Sequence, residues 1–161
     1  MAEGKPVDFL PLNLSMLQYI VFRLLASFCG VFGFSIMFNS PVPLAMSAAV
    51  IGAISNTLRL ELVDLASLPP AAAAFFAAMI AGLLASAYKK HSGFPRIAIT
   101  VPSIVIMVPG LYLYRAIYNL GMMNLSISAS WFASATLIIL ALPLGLIFAR
   151  IMTDKMFRYC T

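Results

Sequence analysis

Charge is what this sequence has least of: 9% of its 161 residues are Asp, Glu, Lys or Arg, whereas 63% are hydrophobic. A water-soluble domain carries about a quarter charged residues to cover its surface, so this surface is built for another solvent. Acidic residues are the scarcer sign, five against ten Lys and Arg, for a net charge of +5. That excess does not point to nucleic acid. The basic residues are scattered, mostly at the ends of apolar runs where membrane proteins place snorkelling anchors, and no basic patch has interleaved aromatics.

Other absences narrow the chemistry. Two cysteines, Cys29 and Cys160, make neither a disulfide framework nor a metal site, and Cys160 does not fit a prenylation box. The single histidine, His91, follows Lys89-Lys90 at a segment end and reads as an interfacial residue. There is no Ser/His/Asp set, no His/Cys cluster, no Gly-rich phosphate loop and no ATPase motif. These absences speak against an enzyme, a metal or cofactor, and direct ATP hydrolysis. The first residues mix Glu3, Lys5 and Asp8, and no small-residue cleavage site closes the apolar run that follows, so they do not read as a cleavable signal. Asn13-Leu14-Ser15 and Asn124-Leu125-Ser126 match a glycosylation pattern that is common by chance.

What the sequence does have is apolar runs. Crossing the hydrocarbon takes about 20 helical residues, and five segments approach or reach that: 17–38, 44–58, 71–88, 97–114 and 131–149. The expected architecture is all-α, an integral membrane bundle of five transmembrane helices. Four is the alternative, because 44–58 is short and dotted with Ser47, Gly52, Ser55, Asn56 and Thr57. An N-terminal extension, 1–16, precedes the bundle at 17–150, and a tail, 151–161, follows it. Small residues four apart, Ala74, Ala78, Gly82 and Ser86 in one segment and Ala141, Gly145 and Ala149 in another, mark faces where backbones approach. Lys89, Lys90 and Arg96 in one loop and Arg150, Lys155 and Arg158 in the tail predict that both are cytoplasmic.

The fourth segment carries the most unusual pattern, Pro102-Ser103 followed by Val108-Pro109-Gly110. An internal proline removes a helix hydrogen bond and clashes with the carbonyl four residues earlier. The pattern predicts a helix broken at Pro109-Gly110 inside the membrane, where irregular backbone survives only if buried or lining a polar cavity. A simple proline kink is the competing reading. A half-helix starting at Pro109 would aim free N–H groups and a positive dipole end into the bundle, a device transporters use to hold carboxylates. Arg115 lies about one and a half turns beyond and offers fixed positive charge. Asn56, an amide in an apolar segment, is either interhelical glue or a substrate contact. Asn39 precedes Ser40-Pro41 and reads as a cap or turn residue. Arg23 and Arg115 could each instead snorkel to the interface, Arg59 is a further charged candidate, and Glu61 with Asp64 are the only acidic residues between successive apolar segments.

The stretch Gly33-Phe34-Ser35-Ile36-Met37-Phe38-Asn39-Ser40-Pro41, the later Gly52, and Val101-Pro102 through Val108-Pro109-Gly110 resemble the threonine/serine exporter family, in particular the small YjjB-like subunit of its split, two-component version. The resemblance covers residues 20–150 and departs at Ile106-Met107, where family members often carry another proline. It implies a multi-pass subunit of the bacterial inner membrane with a cytoplasmic C-terminus and five spans. Such a subunit exports threonine and serine or succinate-like dicarboxylates, is driven by an ion gradient, and works with a larger membrane partner. The expected pathway residues are Pro102, Ser103, Pro109, Gly110, Arg115, Asn39 and Asn56. A homo-oligomer is compatible with this reading, and the alternative is a non-transporting subunit that stabilises or regulates its partner.

Overall fold

A computed structural model describes residues 16–92 and 95–153; the N-terminal extension before Met16 and the tail from Asp154 on, with Lys155, Arg158 and Cys160, lie outside it, as do the side chains of Lys90 and His91. The described residues form six helices: α1 (Met16–Met37), α2 (Val42–Asp64), α3 (Pro70–Ser92), α4 (Arg96–Val105), α5 (Gly110–Gly121) and α6 (Leu125–Thr153).

Prolines and left-handed residues set the ends. After α1 the chain turns at Asn39, whose φ is 56°, with the Ser40 N–H reaching Ser35 O at 3.1 Å and the Asn39 N–H reaching Ile36 O at 2.8 Å. That is the double reverse bond that satisfies orphan carbonyls at a helix C-terminus. The same arrangement closes α5, where Met123 has φ 60° and the Asn124 N–H reaches Asn119 O at 2.9 Å. Helices α2, α3 and α4 each begin at or just after a proline, Pro41, Pro70 and Pro95, which is pre-shaped for the first turn.

Four helices, α1, α2, α3 and α6, are long and apolar enough to cross a bilayer. A fifth candidate crossing, fourth in chain order, is α4 with α5, two short helices bent by 44° at the break between Val105 and Gly110. A bend of 44° keeps both halves running the same way; together they reach about 30 Å along their common direction, the thickness of the hydrocarbon core.

The interior is made of small residues. Ala45, Ala48, Ala49, Ala73, Ala74, Ala77, Ala78, Ala81 and Ala85 are buried, whereas Leu17, Phe22, Ile97, Ile117 and Leu125 lie on the outside. In lipid a leucine gains little by moving inward, so close packing of backbones decides the interior. The two small-residue stripes meet along α3 and α6. A Cβ added at Gly145 would lie 3.0 Å from Ala78 Cβ and 3.1 Å from Met79 N, and one at Gly82 would lie 2.7 Å from Ala149 Cβ. Helix α2 is the hub, packing on α1, α3 and α4, while α5 leans on α6.

Candidate functional site

The break in the fourth crossing is held from α2. Met107 is fully buried, and its carbonyl, freed by the end of α4, accepts a 2.7 Å hydrogen bond from the Arg59 guanidinium. A cation at a helix C-terminus complements both the orphan carbonyl and the negative dipole end. Among the described residues, the ion pairs are those of Arg23 with Glu61, at 3.2 Å, and with Asp64. Both acids thus bond to Arg23 and neither to Arg59, which sits on the α2 crossing with a backbone carbonyl as its hydrogen-bond acceptor.

On the other side of the break Pro109 is buried and caps α5. The Gly110 N–H closes a tight turn onto Val108 O at 2.8 Å, and the space where a Gly110 side chain would lie is open to 4 Å. The start of α5 therefore presents its first N–H groups beside an open surface, while the end of α4 is capped from within the bundle.

Of the residues expected at a pathway, Pro102 and Ser103 lie buried in α4. The Ser103 hydroxyl donates within its own helix to Ile99 O at 2.7 Å and lies 3.0 Å from Ala48 O of α2. A Cβ at Gly52 would meet Ser103 O at 2.9 Å and Val31 Cγ2 at 2.7 Å, so Gly52 is where α1, α2 and α4 cross most closely. Asn56 faces α1, its amide donating to Ser27 Oγ at 2.9 Å, while its own Oδ1 has no partner. Gly52, Asn56 and Arg59 follow one another at helical spacing along α2, and Asn56 and Arg59 share a face. The structure therefore puts Ser103 beside Ala48 and Gly52 at the α2–α4 crossing, Asn56 one turn further along α2 facing α1, and Pro109-Gly110 just past Met107 at the break. It leaves two expected residues elsewhere. Arg115 lies over the Trp131 ring of α6, 4.8 Å from its centroid. Asn39 is exposed in the α1–α2 turn, about 25 Å along α2 from Arg59.

Arg59 is the residue the sequence-based set omits. Its charge alone reads as a snorkelling cation; the signal that distinguishes it is Asn56 three residues earlier on the same face, within a segment of otherwise small and apolar residues. Ser35 Oγ and Thr57 Oγ1 are likewise buried without a hydrogen-bond partner.

An all-helical bundle with four or five segments long and apolar enough to cross a bilayer is a multi-pass membrane protein rather than a soluble fold. Residues 23–152 match the family described as "Threonine/Serine exporter, ThrE", and the chain belongs to that family. A curated relative, an uncharacterized protein of Haemophilus influenzae, is 29% identical over 154 residues, covering 86% of this chain and 50% of that protein. The chain thus spans about half the length of the curated relative it matches. No solved structure matches.

Proposed function

We propose that this chain is a membrane subunit of a secondary exporter for threonine and serine or for succinate-like dicarboxylates, driven by an ion gradient and completed by a larger partner subunit. The observation that carries this reading is the Arg59 guanidinium bonded to Met107 O at the broken crossing. An ionisable residue held inside a membrane bundle is expensive and is normally kept for function. A carboxylate is the chemical group that suits it, and the N-terminus of α5 favours the same sign. Membership of an exporter family supports transport. The bilayer on this reading is the bacterial inner membrane. Lys89, Arg96 and Arg150 lie at the end of the bundle that receives the C-terminus of α6, which supports a cytoplasmic C-terminus.

Efflux of labelled threonine, serine and succinate from cells tests this. The cells express the chain alone, with its genomic-neighbour membrane protein, or with neither. Faster efflux of one substrate only when both proteins are present supports the split exporter and names its cargo. In that background Arg59→Gln, which keeps a donor for Met107 O but loses the charge, is expected to lower efflux at least tenfold, an order-of-magnitude figure for a lost charged hydrogen bond. Arg59→Lys should retain part of it. Undiminished efflux in Arg59→Gln removes the cation from the pathway and favours a subunit that only stabilises its partner.

A further inference from the structure

Helices α4 and α6 both pack on α3, and between them lie two adjoining cavities of about 460 and 490 Å³ at the end of the bundle opposite Arg23. Lys89 of α3 and Arg96 of α4 line both, and Arg150 of α6 lines the first. Arg96 is held in place by Gly82 O at 3.0 Å and Thr153 Oγ1 at 3.1 Å, so the cationic mouth is built rather than incidental. In and beside the segments that meet here the sequence has Lys89, Lys90, Arg96, Arg150, Lys155 and Arg158 against one acid, Asp154, so the region stays positive whatever pairs form.

The walls are of a different character. Ile97, Val101 and Ile147 line the first cavity and are 68%, 40% and 51% exposed, so the groove opens sideways onto the surface that a membrane protein turns to lipid. A cationic mouth leading into an apolar flank matches an amphiphile with a negative head. A small soluble anion would use the cations and leave the apolar flank empty.

We propose that this groove binds one anionic phospholipid of the adjacent leaflet. Its phosphate sits among Lys89, Arg96 and Arg150, and an acyl chain lies along Ile97, Val101 and Ile147. Bound there, the lipid bridges α4 to α6, which otherwise meet mainly through α3. It thereby braces the half-helix that leads to the break. Lipid binding in this groove needs neither substrate nor partner.

The test uses the full-length chain in neutral detergent, titrated with phosphatidylglycerol, phosphatidylcholine or inorganic phosphate. Thermal stability and lipid retained through purification, read by mass spectrometry, are followed together. Phosphatidylglycerol is expected to raise the melting temperature and to be retained in preference to phosphatidylcholine. The exposed Lys89 permits a mild variant: Lys89→Gln should bind the anionic lipid roughly fivefold more weakly, and Lys89→Gln with Arg150→Gln on the order of 20-fold more weakly. Equal effects of the two lipids would overturn the proposal, as would unchanged binding by Lys89→Gln. Stabilisation by inorganic phosphate matching that by phosphatidylglycerol would assign the mouth to a soluble anion instead.

Discussion

Two seams hold this bundle, and they are made of different physics. Along α3 and α6, between the levels of Phe75–Gly145 and Gly82–Ala149, two backbones run side by side with little more than methyl groups between them. Along α2, where α1 and α4 cross it, the contacts are polar: Asn56 to Ser27, Arg59 to Met107 O, and Ser103 beside Ala48 O. Three buried oxygens, Ser35 Oγ, Asn56 Oδ1 and Thr57 Oγ1, lack hydrogen-bond partners in this part of the molecule. In hydrocarbon an unsatisfied polar group costs several kcal/mol. The first seam needs nothing further to explain it than close packing. The second contains more polarity than packing requires, and that surplus is where transport chemistry is to be sought.

Substitutions can separate the two. The largest effect on folding is expected from Gly145→Val, whose side chain meets the Phe75 carbonyl oxygen and Met79 N, both backbone atoms that cannot turn aside. Its cost should approach about 3 kcal/mol, the upper range for overpacking, read as a loss of monodisperse protein in mild detergent or an earlier unfolding midpoint. If Gly145→Val is as stable as the native chain, the α3–α6 seam is not what specifies the fold. Asn56→Ala removes one interhelical hydrogen bond and should cost only about 0.6 kcal/mol, the average for such bonds in membranes. A loss several times larger would mark Asn56 as a structural keystone rather than a spare polar group. Gly110→Leu should leave stability nearly unchanged, because the added side chain points into open space. Export by the complete assembly should nevertheless fall to background. Normal export in that variant would remove the open side of the break from the pathway.

Much of this architecture is legible in the residues themselves. Apolar runs of bilayer length, with basic residues at their ends, read directly as candidate crossings, and Pro109-Gly110 marks either a break or a kink, which the structure resolves as a break between α4 and α5. The extent of the helices is less visible. Helix α2 continues through Arg59, Glu61 and Asp64, well past the apolar stretch, because Arg23 of α1 lies opposite and bonds to both acids. A helix paired across its neighbour can carry charges that hydropathy alone would assign to a loop. Helix α6 likewise starts at Leu125, ahead of Trp131; Ser130 bonds back to Ser126 O at 2.8 Å and Ser128 donates across to Ala116 O of α5 at 2.7 Å, so hydroxyls in this run have partners. The role of Arg59 is the least visible of all. Its partner is a main-chain carbonyl 48 positions away, and a carbonyl has no residue type to recognise. Arg115 reads as the better functional cation for the opposite reason: it is close in sequence to the break, although its side chain turns to Trp131.

The broken crossing also bears on how the protein is made. Its halves have 10 and 12 residues, each well short of the roughly 20 that the insertion machinery accepts as a membrane segment. The first opens on Arg96, and the second contains Arg115. Neither half has reason to leave the translocon for lipid by itself. Helix α4 finds its contacts on α2 and α3, already synthesised, but α5 leans on α6, which emerges after it. The second half, Gly110–Gly121, therefore settles only once α6 has arrived, and a nascent chain truncated before Leu125 would hold α5 unplaced at the membrane, a natural target for quality-control proteolysis.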